Sequence, residues 1–544
     1  MMKTSMRSAP VRGRRLMCGT WARASHLALA ASTLAGCSGD IVLGDLSRDE
    51  LSLEAAVAEG GGAGSADSRI GASLGEPDVT FDASTLWDGP VRAGDLDGDG
   101  IGEWVTTEID PFAGTYLHLR YGGPRPASNL DLLELQEGGA RLLLDPSVPL
   151  TDSVTAAGDV DGDGYGDLLV AMGQCDVAQA AEGAYLLYGG PDRLEGNWFL
   201  SDVSVHLTSP RPASGEPSGS CSGGGDGWSP ALGDFDGDGL DDLAVVTRPY
   251  PQHLEPDFLP SFPPGAEALT YLFYGRGERL VDGTPLTSAD ATLHAPPDAS
   301  ISSPGDANGD GQGDLLIGSP NSTSAPGTYW IPGRAQRFSG DVDVAATGTL
   351  LAARPGDIGI GTIGSDIDGD GLADVFLQDE SWMLHLFYGQ PGLFDDGVDF
   401  STSAATFPVP EGQLSFVRGL GDRDGDGDAE LASMFDVPRQ SPSDPFATEF
   451  AALSGSPARL AGPVAFPTQA VLDAHPGGRH FVNPDEYMYN LFAPGDLDGD
   501  GADDVLVTSV IYLEDGSPIP QPPRLNIFYG TPGGVAAEAA DDPR

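Results

Sequence analysis

Residues Gly158 to Met172 read GDVDGDGYGDLLVAM, an acidic, glycine-rich half followed by a short apolar run. Counted from Asp159, oxygen-bearing side chains stand at positions 1, 3, 5 and 9 (Asp159, Asp161, Asp163 and Asp167), with Gly162 and Gly164 between them. Alternate residues on a tight curl can turn their carboxylates toward one point, and glycine tolerates the positive φ that the curl needs. Oxygen-only donors at this density suit a hard cation, and many flexible carboxylates favour Ca²⁺ over Mg²⁺. The backbone carbonyl of position 7, Tyr165 here, is the natural further ligand. A helix-flanked calcium loop would need a bidentate Glu at position 12, where this chain has Val170. Position 9 instead opens an aliphatic run bounded by turn residues, the pattern of a buried strand. The loop therefore joins two strands.

The pattern occurs seven times, with first aspartates at 95, 159, 234, 306, 366, 422 and 496. The first copy offers Asp95, Asp97, Asp99, Ile101 (by its carbonyl) and Glu103; the third, Asp234, Asp236, Asp238, Leu240 and Asp242. The fourth offers Asp306, Asn308, Asp310, Gln312 and Asp314; the fifth, Asp366, Asp368, Asp370, Leu372 and Asp374. The sixth offers Asp422, Asp424, Asp426, Asp428 and Glu430; the seventh, Asp496, Asp498, Asp500, Ala502 and Asp504. A single acidic turn is usually just solvated, but seven copies on one ligand spacing argue against that. After each loop and its strand comes a second recurring element, an aromatic strand ending in a glycine turn: YLHLRYGGP from Tyr116, AYLLYGGP from Ala184, YLFYG from Tyr271, LHLFYGQPG from Leu384 and LNIFYGTPG from Leu525. The fourth and sixth copies are degraded to YWIPG from Tyr329 and FAALSGSP from Phe450. A period of about 67 residues accommodates four short strands and their loops, the expectation for a propeller blade.

The loop D-x-D-x-D-G-x-x-D, the apolar strand after it and the strand ending in Tyr-Gly together resemble the FG-GAP repeat family. Residues 66–534 carry the resemblance, which implies an all-β, seven-bladed β-propeller like the N-terminal domain of integrin α-subunits, with a calcium loop in each blade and up to seven Ca²⁺. It implies that the calcium loops share one face and that ligands use the opposite one. The chain departs from the pattern at Asn308, at Glu103 and Glu430, and at Ser365 in place of the leading glycine.

Charge and cysteines bound the rest. The formal net charge is −55, and the one lysine is Lys3. Nucleic-acid binding through phosphates needs clustered Lys and Arg, and a P-loop or Schiff base needs a lysine in the mature chain; both are excluded. Residues 1–36 hold six of the 27 basic residues and no acid. Basic residues precede an apolar stretch from Leu27 to Ala35, too short for a stable membrane span, which reads as an export signal. It ends in Leu34-Ala35-Gly36-Cys37, which resembles a bacterial lipobox; that resemblance implies cleavage before Cys37 and lipid attachment to it, the alternative being an ordinary cleavage site. Residues 37–65 then form a flexible tether, and 535–544 a C-terminal tail.

No G-x-S-x-G, H-E-x-x-H or Cys-His-Asn constellation is present. The leading expectation is a non-catalytic, calcium-stabilised binding or adhesion module. It is exported and lipid-anchored at the bacterial envelope, monomeric, and directed at a protein or glycan ligand. A polysaccharide-acting, lyase-like enzyme and a purely structural envelope protein are the alternatives. The longest candidate contact loop starts at Thr247 and presents Tyr250, His253, Phe258 and Phe262 among prolines. With Cys18 lost in the signal and Cys37 lipidated, Cys175 and Cys221 remain, and an exported protein with two cysteines invites one disulfide. If the family's strand order holds, their loops emerge on one face of adjacent blades. Thiol titration of the folded, exported protein should find no free Cys175 or Cys221, and closing that loop should stabilise by roughly 3–4 kcal/mol; two reactive thiols would refute the pair.

Overall fold

The apolar runs that follow the acidic loops, and the aromatic strands after them, are buried on both faces. In Asp242–Thr247 five of six residues are buried, and Gly183–Leu187 and Leu384–Phe387 are buried throughout. This is why they read as continuous aliphatic runs without strict alternation. The computed structural model describes residues between 79 and 532, with 126–138, 173–182, 210–230, 353–364, 408–415, 437–447, 465–478, 512–523 and several shorter segments outside the description. The chain divides into two units, Met1–Asp67 and Ser68–Arg544, and every described residue belongs to the second. The export signal, Cys37, the tether, the tail, Cys175 and Cys221 all lie outside the described residues. No helix among the described residues is long and apolar enough to cross a membrane.

The architecture is an all-β propeller with six complete blades. The first blade runs Leu86–Gly94, Glu103–Asp110, Gly114–Arg120 and Gly139–Leu143, each strand antiparallel to the next. The second repeats this order in Thr151–Gly158, Asp167–Met172, Gly183–Leu187 and Val205–Thr208. The acidic loop always links the first strand of a blade to the second. First strands of neighbouring blades touch (Leu86–Gly94 meets both Thr151–Gly158 and Glu486–Gly495), which puts them at the hub. The fifth repeat differs. Its described residues contribute Val375–Gln378, Leu384–Phe387 and Ala405–Phe407 and a bridge from Ser365 to Asp374, the chain just ahead of that bridge, 353–364, lying outside the description.

The core lies between blades. Val105, Leu117, Leu119 and Leu142 of the first blade pack on Leu168, Val170, Tyr185 and Leu187 of the second. The same layering recurs where Leu169 and Leu186 meet Val245 and Tyr271, and where Val246 and Leu272 meet Ile317 and Ile331. Trp104 of the first blade joins Leu497, Leu506 and Leu525 of the last, so the first and last blades are neighbours.

Two features tie units together through the backbone. The segment Val79–Asp82 pairs antiparallel with Arg524–Phe528 and completes the last blade as its outer strand. It belongs to the strand-like stretch DVTFDASTLW, the sequence available to cover an otherwise open edge. Short segments also add a parallel strand to the outer edge of the preceding unit: Gly196–Phe199 on Gly139–Leu143, Thr284–Pro285 on Val205–Thr208, Gly340–Asp343 on Ala291–Ala295 and Gly462–Pro463 on Ala405–Phe407. No pattern in the sequence signals these straps.

Removing residues 38–84 should therefore strip the outer strand from the last blade. At about 1 kcal/mol per net hydrogen bond, the loss is about 2–4 kcal/mol, read as a lower urea midpoint. Removing 38–64 alone should leave the midpoint unchanged. Equal midpoints for the two truncations would show that Val79–Asp82 does not support the ring.

Candidate metal centre

Each acidic loop is built on its first aspartate. In the second copy Asp159 Oδ1 accepts the N–H groups of Gly162 at 2.7 Å and Asp163 at 3.1 Å, and its Oδ2 accepts that of Gly164 at 2.9 Å. Asp161 Oδ1 accepts from Asp163 N, and Asp163 Oδ1 from Tyr165 N. The curl requires Gly162 and Gly164 at φ of 73° and 90°, a region that side chains disfavour. The position-7 residues Ile101, Tyr165, Leu240, Gln312, Leu372, Asp428 and Ala502 are each pinned by an N–H to the position-5 carboxylate of their own loop.

Position 9 does something the ligand reading alone does not require. Asp167 is fully buried; its Oδ2 accepts from Val160 N at 3.0 Å, within the loop, and its Oδ1 from Gly189 N at 2.9 Å, in the Tyr-Gly turn of the same blade. Asp242, Asp314, Asp374 and Asp504 repeat the double contact with Gly275, Gly333, Gly389 and Gly530. Glu103 does so with Leu96 N and, at 3.4 Å, Gly122 N. A Cβ on Gly189 would lie 2.1 Å from Gly166 O, which explains why the aromatic strand ends in glycine. Burial pushes Asp167, Asp242, Asp314, Asp374 and Asp504 up to about 7, and Glu103 and Glu430 up to about 8, with neighbouring loop carboxylates adding to the rise in most of them.

Positions 1, 3 and 9 converge. Carboxylate oxygens of Asp159, Asp161 and Asp167 lie within 4.8 Å of one another, as do those of Asp234, Asp236 and Asp242, of Asp366, Asp368 and Asp374, and of Asp422, Asp424 and Glu430. In the first loop Asp99 of position 5 joins Asp95, Asp97 and Glu103. Position 5 also meets a partner that sequence reasoning missed. An arginine from the following unit grips positions 3 and 5: Arg125 on Asp498 and Asp500, Arg193 on Asp97 and Asp99, Arg279 on Asp161 and Asp163, Arg337 on Asp236 and Asp238, Arg459 on Asp368 and Asp370. The position-5 contacts measure 2.5 to 2.6 Å. Each guanidinium also lies over the ring of the preceding Tyr-Gly tyrosine, 4.6 to 5.0 Å from its centre. The hydroxyls of Tyr121, Tyr188, Tyr274 and Tyr388 accept the N–H that follows the arginine. A signal was present: in four units the arginine stands four residues after the turn glycine, at 193, 279, 337 and 459.

The loops also bond to one another. The position-8 N–H of each donates to the position-1 carbonyl of the loop before it: Gly166 to Asp95, Asp241 to Asp159, Gly313 to Asp234, Ala373 to Asp306, Ala429 to Asp366, Asp503 to Asp422, and Gly102 to Asp496, at 2.6 to 3.1 Å. The seven acidic loops thus form a closed circle. Of the contact loop beginning at Thr247, the described part is a small hairpin pairing His253–Leu254 with Pro260–Ser261; Tyr250, Phe258 and Phe262 lie outside the described residues.

The FG-GAP repeat family model matches residues 227–250, the stretch holding the third acidic loop and its apolar strand. No curated protein matches the chain.

Because Asp167 satisfies two buried N–H groups, Asp167→Ala should cost about 2–5 kcal/mol in urea unfolding under chelator, where cation binding cannot contribute. Asp167→Asn, which keeps an acceptor, should cost less. Equal costs would show that the carboxylate is not the joint between loop and turn.

Proposed function

We propose that the chain is a seven-bladed FG-GAP propeller that acts as a calcium-stabilised, non-catalytic binding or adhesion module. The observation that carries the calcium reading is the circle of seven acidic loops, in five of which carboxylates from positions 1, 3 and 9 converge around a buried position-9 acid. The fifth repeat, with its acidic loop, three antiparallel strands and inner bridge, is the seventh blade of this proposal.

The donor set fits a hard cation. Every side-chain donor is an oxygen, and Asp368 Oδ1, Asp424 Oδ1 and Glu430 Oε1 are buried with no hydrogen-bond partner among the described residues. A buried carboxylate oxygen left bare is costly, and a cation is what would offset that cost. Positions 1, 3, 5 and 9 would hold Ca²⁺ with the position-7 carbonyl, and the ion would supply positive charge to fold the curl, with no reaction implied. The signal-like segment and Cys37 support export and lipid anchoring at a bacterial envelope, and the strongly acidic chain argues against nucleic acid as partner. The proline- and aromatic-rich loop from Thr247 supports a protein or glycan ligand, since rigid aromatics stack on sugars and grip protein surfaces.

Complete chelation should lower Tm, and Ca²⁺, but not equimolar Mg²⁺, should restore it. Each site contributes about 2.7 kcal/mol at a hundredfold excess over Kd. A melting curve indifferent to chelator would sink the calcium reading. The calcium-loaded chain should retain a glycan or an envelope protein without turnover; depolymerisation of an acidic polysaccharide would replace the binder with an enzyme.

A further inference from the structure

The seven loops are not equally balanced in charge. Five have an arginine across positions 3 and 5. The fourth has none among the described residues, and it also lacks the pair of carboxylates an arginine would grip. Asn308 stands at position 3, its Nδ2 donating to Asp314 Oδ1 at 3.0 Å and its Oδ1 accepting from Asp310 N at 2.9 Å. The following unit places Leu393 where the arginine would stand. The loop balances itself.

The sixth loop does not. It keeps both Asp424 and Asp426 and adds Asp428, so that acids occupy positions 1, 3, 5, 7 and 9. The following unit has Gly534 at the arginine's place, and no ion pair to Asp424 or Asp426 occurs among the described residues. Arg423, within the loop, reaches instead to the carbonyls of Phe528 and Tyr529 in the last blade. Glu430 differs from the other position-9 acids. It is 5% exposed, its Oε2 accepts from Arg423 N at 2.5 Å, and its Oε1 is buried and bare together with Asp424 Oδ1, in the cluster they form with Asp422. In the fifth loop, by contrast, the one bare oxygen belongs to Asp368, whose other oxygen Arg459 holds.

We propose that the loop Asp422–Glu430 is the site where docking of neighbouring blades depends on a divalent cation, and that the arginine clasps perform that role without a cation in five other loops. The inference rests on the calcium reading and adds to it a division of the sites. A guanidinium and a divalent cation answer the same need, since both place positive charge against crowded carboxylates. Where the chain supplies the arginine, the loop stays docked when calcium leaves. Where it supplies neither arginine nor Asn, the loop opens.

Hydrogen exchange of the full chain, with calcium and with chelator, tests this. Chelation should speed exchange at least tenfold in 421–430 and at Asp503, whose N–H bonds to Asp422 O, and leave 159–167 and 234–242 within twofold. Arg459→Gln should transfer 365–374 to the calcium-sensitive class while the calcium-loaded protein keeps its exchange pattern. Uniform loss of protection in all loops, or a fifth loop still indifferent to calcium in Arg459→Gln, would overturn the division while leaving calcium binding intact. If equilibrium dialysis finds no bound calcium, the calcium reading and the division fall together. Should Arg459→Gln not fold, Arg279→Gln with readout in 159–167 decides in the same way.

Discussion

A carboxylate buried at the ninth position of an acidic loop is the joint on which the rest of this structure hangs. Its side chain spans two backbone segments that no strand ladder connects, the second residue of the loop and the glycine that ends the blade's third strand. Once that span is made, the loop cannot swing, the position-8 N–H points at the preceding loop, and the tyrosine beside the glycine is set where the next unit can lean on it. A solvated surface turn would need none of this. Burying an acid is expensive, and satisfying both its oxygens with N–H donors is what makes the burial tolerable.

Much of this was legible in the sequence because it is local. Loop spacing, glycine positions and the apolar run after position 9 all fall within about fifteen residues, and they repeat. The last blade's borrowed outer strand was legible for a different reason: DVTFDASTLW holds more strand-like sequence than the first blade uses, and an uncovered edge is avoided. The arginine clasps were not read, because each joins residues 89 to 375 positions apart and depends on a charge pairing that spacing within one unit does not display. The parallel straps were illegible on physical grounds. Thr284–Pro285 and Gly462–Pro463 are two residues long, contain proline and carry no apolar pattern, while Gly196–Phe199 is exposed along its whole length. They are made by position in the ring and not by propensity.

The acidic excess takes on a sharper meaning in this setting. With a net charge of −55, the loops could be expected to be the most repulsive part of the molecule. Instead, several of the chain's few arginines each bridge one buried and one more exposed loop carboxylate, stacked on tyrosine rings that hold them in orientation. Compensation is therefore built into the repeat, one unit serving its predecessor.

The four residue pairs from Val79↔Ile527 to Asp82↔Arg524 also have a mechanical side. Among the described residues, that short antiparallel strand is the first element that tension entering from the N-terminal side meets. The strand acts as a fuse in the load path. Under modest force it would yield first, baring the outer edge of the last blade while the Trp104 packing, the Gly102 to Asp496 bond and the Arg125 clasp still hold first and last blades together. A pull on that strand is thus spent on a peripheral ladder before it reaches the contacts that close the circle.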